Sequence, residues 1–96
     1  MIIKKRLKIR NAQGLHARPA SVFVKIANRY EAEVAVKKGS EKVNGKSIMG
    51  LMTLAANKGS TLEIEASGPD ADKAMEALER FLMNDSEDVQ ERETPR

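Results

Sequence analysis

Residues 3–27, IKKRLKIRNAQGLHARPASVFVKIA, change their hydrophobic period once, and this change predicts how the chain begins to fold. Up to Ile9 the aliphatic side chains alternate with basic ones, which is the period of a strand with one buried face. From Ala17 the apolar residues recur at i, i+3, i+4 and i+7, which is the period of an amphipathic helix. Pro19 fits only the first turn of a helix, so this helix begins near residues 16–18.

The same two periods alternate along the rest of the chain. Alternating aliphatic residues predict strands at 32–36 and 62–66, and a short strand lies between them at 41–44. Ser47 and Asp70 are the predicted caps of a second and a third helix. The order βαββαβα predicts an α+β fold, an open-faced two-layer β-sandwich in which a four-stranded, mostly antiparallel sheet carries three helices on one face.

Composition limits the chain to one domain with a modest core. The sequence has 96 residues, no cysteine and one histidine, so disulfides and Cys-based zinc sites are excluded and we expect no metal and no cofactor. We expect a folded domain over residues 1–84 and a disordered acidic tail over residues 85–96. No apolar run approaches the roughly 20 residues of a membrane span, and the charged start is unlike a signal peptide. We therefore expect a cytoplasmic protein without membrane contact.

The charge is distributed unevenly. Residues 1–84 contain 15 Lys or Arg and nine Asp or Glu, whereas residues 85–96 contain two basic and five acidic residues. A basic body favours an anionic partner, which leaves protein, phosphate and nucleic acid open. Nucleic-acid binding through the basic face of the first strand is the weakest of these, because the chain has only three aromatic residues and no nucleic-acid motif. That basic face comprises Lys4, Arg6, Lys8 and Arg10.

The segment Gly14-Leu15-His16-Ala17-Arg18-Pro19-Ala20 contains the candidate chemical site. A lone histidine is most often a surface or capping residue. Here, however, the predicted helix begins beside His16, and the N–H groups of Ala17 and Arg18 have no partner within the helix. Such a helix start binds anions, and the Arg18 guanidinium matches phosphate oxygens. An imidazole beside an anion site is suited to carrying a phosphoryl group as a covalent acceptor.

Three motifs together resemble a known family. GLHARPAS, then GKSIMGLMTLAA about 30 residues later, then SGPDADKAMEAL, are similar to HPr, the histidine-containing phosphocarrier of the bacterial phosphoenolpyruvate-dependent phosphotransferase system. The resemblance covers residues 1 to about 84. It implies that His16 accepts a phosphoryl group on Nδ1 from enzyme I and passes it to a IIA protein or domain. It also implies that Arg18 and the amide of Ala17 steady that group, and that the protein is a phosphocarrier intermediate, not an enzyme.

Ser47 has two readings. As a helix N-cap it needs no further role. The resemblance implies a second role as a regulatory phosphorylation site for an HPr kinase/phosphorylase. A phosphate would add a charge of about −1.5 to −2 there, which would repel an acidic partner surface more than it would disturb the helix.

The apolar residues of the second helix also have two readings. Spacing alone favours burial in the core. In the family, part of this segment lies exposed and docks partner proteins, and methionine suits a surface that meets several partners. The resemblance therefore gives five partner-docking residues in what we expect to be a monomer: Ile48, Met49, Met52, Lys25 and Lys46.

Two branches of the family remain open. Pro19 favours the sugar-transport carrier, whereas Asn44-Gly45-Lys46-Ser47-Ile48-Met49-Gly50 is similar to the nitrogen-related paralogue NPr, a regulatory phosphocarrier that does not serve bulk sugar uptake. Both branches place the phosphoryl group on His16.

Overall fold

The computed structural model describes residues 1–9, 17–54 and 59–83. Within these residues strands and helices follow the predicted order. The four strands are β1 (Ile2–Lys8), β2 (Glu33–Lys38), β3 (Glu41–Asn44) and β4 (Thr61–Ser67). The three helices are α1 (Ala17–Ala27), α2 (Ile48–Thr53) and α3 (Ala71–Met83).

The strands form one antiparallel sheet in the order β1-β4-β2-β3. The two central strands are therefore β4 and β2, which lie far apart in the sequence, and the edges are β1 and β3. Because side chains alternate across a strand, one face of every strand can be apolar and the other charged. Leu7, Val36 and Ile64 lie on the buried face, while Lys4 and Glu63 lie on the face without helices.

The helices cover the apolar face of the sheet and form the second layer. α3 packs on β1 and β4, and α1 lies between α2 and α3. The largest side chains of this core are fully enclosed, among them Phe23, Leu51, Leu62, Met75 and Leu78. The predicted open-faced sandwich is confirmed.

The second helix ends at Thr53 with Leu54 as the C-cap. One local detail differs from expectation. Asp70, the predicted cap of α3, directly precedes that helix, but its carboxylate accepts hydrogen bonds from the N–H groups of Glu31 and Ala32, both at 2.9 Å. Its side chain thus joins α3 to the loop before β2, a contact that no local pattern predicts.

No helix within the described ranges is both long enough and apolar enough to cross a membrane.

Candidate functional site

The start of α1 lies at the surface. Ala17 and Arg18 are exposed, whereas Pro19 and Ala20 are buried against the core. The buried pair anchors the helix in the core while its first two residues face solvent. His16, the predicted phosphoryl acceptor, immediately precedes this helix in the sequence and lies outside the described residues.

The first turn of α1 has the chemistry of an anion site. The N–H groups at the beginning of a helix have no acceptor four residues earlier, and Pro19 has no N–H at all. The N–H groups of Ala17 and Arg18 therefore have no acceptor within the helix, and they lie at the positive end of the helix dipole. Beginning α1 at Ala17 agrees with the start at 16–18 predicted from Pro19.

The second helix is fixed at both ends. Ser47 has extended backbone angles, and its Oγ accepts a hydrogen bond from the N–H of Gly50 at 3.0 Å. At the other end the Lys38 ammonium donates to the carbonyl of Leu54 at 3.1 Å. A hydroxyl at the N-cap and a cation at the C-terminus each satisfy groups that a short helix leaves unpaired. The predicted capping role of Ser47 is confirmed, and the role of Lys38 was not foreseen.

The apolar residues of α2 divide into a buried and an exposed set. Leu51 is fully buried and Leu54 nearly so. Ile48, Met49 and Met52 are 41%, 77% and 43% exposed. Large apolar side chains adjoining one another at the surface are typical of interaction sites. Burial in the core is therefore confirmed for Leu51 and Leu54. The three exposed residues Ile48, Met49 and Met52, here named the α2 cluster, are accessible from solvent.

The two lysines predicted to dock partners differ in their surroundings. Lys25 is exposed on α1. Lys46 is half-buried, and its Nζ donates to the carbonyl of Tyr30 at 2.9 Å, just beyond the C-terminal end of α1. The Lys46 ammonium therefore joins α1 to the segment before α2, which is a structural contact in addition to any docking role.

Asp70 binds the same segment between α1 and β2 that Lys46 contacts through Tyr30. Hydrogen bonds from the N–H groups of Glu31 and then Ala32, with a smaller attraction from the Lys46 ammonium, hold the pKa of the Asp70 carboxyl below its ordinary value of 3.8 despite partial desolvation. The segment between α1 and β2 is thus bound by two side chains, the Lys46 ammonium and the Asp70 carboxylate. Sequence reasoning missed this role, because the partners are about 40 residues apart and no motif links them.

Metal-ligating side chains do not gather anywhere in residues 1–9, 17–54 and 59–83 as a group of three or more.

With this geometry in place, the comparison with known proteins is decisive for the family. A family model described as the PTS HPr component phosphorylation site matches residues 3–84, and the chain belongs to this family. The HPr-like protein Crh of Halalkalibacterium halodurans is 46% identical over 81 residues, 84% of this chain and 96% of Crh. The phosphocarrier protein HPr of Neisseria meningitidis is 48% identical over 77 residues, 80% of this chain and 86% of that HPr.

Solved structures agree. The crystal structure of a phosphocarrier protein HPr from Bacillus anthracis has a TM-score of 0.82 and 43% identity, and covers 84% of this chain and 96% of that one. HPr proteins are carriers of a phosphoryl group and not catalytic enzymes.

Proposed function

We propose that this chain is a relay intermediate in which His16 accepts a phosphoryl group from phospho-enzyme I and passes it to a IIA protein or domain during sugar uptake. A phosphorus–nitrogen bond forms at Nδ1 of His16 as the donor's bond to phosphorus breaks. In the second transfer this phosphorus–nitrogen bond breaks as a new bond to phosphorus forms on the IIA acceptor. The chain itself is regenerated and makes no net product. Arg18 and the amide of Ala17 hold the phosphoryl oxygens while the group resides on the ring.

One observation carries this proposal: the only histidine of the chain immediately precedes an exposed helix start. Two N–H donors and a permanent cation occur within the next two residues, all suited to a doubly charged phosphoryl group. The family match over residues 3–84 supports the same role.

The test is phosphorylation with phosphoenolpyruvate, Mg²⁺ and enzyme I. The protein should gain one phosphoryl group that is labile in acid and stable in base, and His16→Ala should not be labelled. Ser47→Ala is the matched control and should be labelled like the wild type. Because the chain has a single histidine, phosphohistidine in the intact protein assigns the site directly. Labelling that persists in His16→Ala would overturn the proposal.

We further propose that Ser47 is a regulatory phosphorylation site of this carrier. Its Oγ lies at the N-terminus of α2, where an added phosphate keeps a favourable interaction with the helix dipole. The exposed side chains of Ile48 and Met49 follow at once, so the new charge would fall at the edge of the α2 cluster. Phosphorylation would therefore impair docking without unfolding the helix.

Ser47→Asp tests this by introducing one negative charge at the same place. We expect slower phosphoryl transfer from enzyme I and an unchanged melting temperature. Ser40→Asp, at an exposed turn between β2 and β3, is the matched control and should transfer at the wild-type rate. Equal rates for both variants would contradict a regulatory role for Ser47.

A regulatory carrier that does not serve bulk sugar transport is the second candidate. The similarity of residues 44–50 to the nitrogen-related paralogue supports it, and so does the 41% identity to Crh, which is described as the Bacillus subtilis catabolite repression HPr. Both candidates use His16 in the same way, so complementation separates them. Restored sugar uptake in a strain lacking HPr supports the transport carrier, whereas phosphorylation of His16 without restored uptake supports the regulator.

A further inference from the structure

The outer edge of β1 combines unpaired backbone groups with basic side chains. Ile9 donates its N–H to the carbonyl of Ser60, and Met1 accepts from the N–H of Gly68. In an antiparallel pair every second residue bonds the neighbouring strand, and Met1 and Ile9 are both bonded. The odd-numbered residues of β1 therefore direct their N–H and C=O groups toward β4, and the even-numbered residues direct theirs away from the sheet. The outward residues are Ile2, Lys4, Arg6 and Lys8, and their side chains lie on the open face of the sheet.

The three basic side chains of this edge, here named the basic edge, have no close acid in the described part of the chain. The register places Glu65 opposite Lys4 and Glu63 opposite Arg6. Neither forms an ion pair there within 4 Å, and Glu65 is instead 3.8 Å from Lys42. Exposed lysines normally protect an edge strand from pairing with further copies of itself, because like charges repel. An extended segment with acidic side chains would instead be attracted by these basic side chains.

α3 ends beside this edge. The N–H of Gly68 bonds Met1 at the beginning of β1, and the Lys5 ammonium donates to Glu79 at 2.7 Å. The helix therefore runs alongside β1 in the same direction, and Met83 lies about 6 Å beyond Glu79 toward the end of the strand. The chain thus continues past residue 83 from a point next to the basic edge.

The sequence that follows has the matching charge pattern. In the acidic tail, residues 85–96, four of the five acids recur with period two at 85, 87, 91 and 93. In an extended conformation these acids share one face. Twelve extended residues reach about 40 Å, whereas β1 is about 20 Å long, so the tail can run back along the whole strand. This pattern lies outside the family match, which ends at residue 84.

We propose that the basic edge binds the acidic tail of the same chain as an additional antiparallel strand. The backbone groups of Lys4, Arg6 and Lys8 pair with the tail, and their side chains face its acids. The tail needs no apolar core for this, since the exposed edge supplies the hydrogen-bond partners that a polar segment lacks by itself. A short tether gives an effective concentration on the order of millimolar, so weak pairing suffices.

Amide hydrogen exchange by NMR on the full-length protein tests the pairing. We expect the N–H groups of Lys4, Arg6 and Lys8 to exchange about tenfold faster in a variant with Glu87→Gln and Glu91→Gln. The N–H groups of Lys5 and Leu7 bond β4 and should not change. A control variant with Glu41→Gln and Glu76→Gln loses the same charge from exposed residues of the folded body and should exchange like the wild type.

Three results would overturn the proposal. One is equal exchange at Lys4, Arg6 and Lys8 in the wild type and the tail variant. Another is the same acceleration in the body-charge control, which would reveal a general effect of net charge. The third is protection that increases with protein concentration, which would assign the edge to a second copy of the chain.

Discussion

Met49→Ala tests whether the α2 cluster contacts partner proteins. Met49 is 77% exposed, so its contacts within the folded protein are few and the free energy of unfolding should change by less than about 0.5 kcal/mol. Burying a methionine side chain fully contributes about 1.5–3 kcal/mol. With three quarters of the side chain still available and the β-carbon retained in alanine, docking should lose about 1–2 kcal/mol, or about 5–30-fold in affinity.

The assay is the rate of His16 phosphorylation by enzyme I at increasing concentrations of the carrier. We expect the concentration for half-maximal rate to increase by that factor, while the maximal rate and the melting temperature remain near the wild-type values. Ile2→Ala is the control, because Ile2 is 63% exposed but lies on the open face of the sheet. Unchanged kinetics in Met49→Ala, or an equal loss in Ile2→Ala, would refute a docking role for the cluster.

Three further predictions concern the contacts that hold the helical layer. Ser47→Ala should lower the free energy of unfolding by about 1 kcal/mol in urea titrations, because the N–H of Gly50 loses its acceptor, and His16 should still be phosphorylated. Gly45→Ala should destabilise by about 1–3 kcal/mol in the same titrations, because an added methyl group would overlap the side chain of Val34. The Asp70 carboxyl has a lowered pKa in the folded state, so its stabilising effect is complete above pH 3.8 and is lost as the pH falls through the folded-state pKa. Melting temperatures between pH 5 and pH 2 should therefore fall less steeply in Asp70→Asn than in the wild type, and parallel curves would contradict this.

Local pattern predicted the elements of this fold well. Alternation in β1 and β4 and the helical periods of α1 and α3 correspond to the observed strands and helices, because burial of one face enforces those periods in any compact structure. Pro19 set the start of α1, and the bounds of β3 were predicted residue for residue. The candidate site around His16 was also local, since the proposed acceptor, the helix start and the guanidinium occur within three consecutive residues.

Pairing across the molecule was decided by the tertiary structure alone. No sequence period places β4 between β1 and β2, since the order of strands depends on which apolar faces fit together beneath the helices. No sequence period predicts the hydrogen bond of Lys38 to the end of α2 or that of the Asp70 carboxylate to the loop before β2 either. The elements and the candidate phosphoryl acceptor could be predicted from residue order, because both depend on neighbours along the chain. The exposure of Met49 and the outward edge of β1 depend on neighbours in space, and only the folded arrangement decided them.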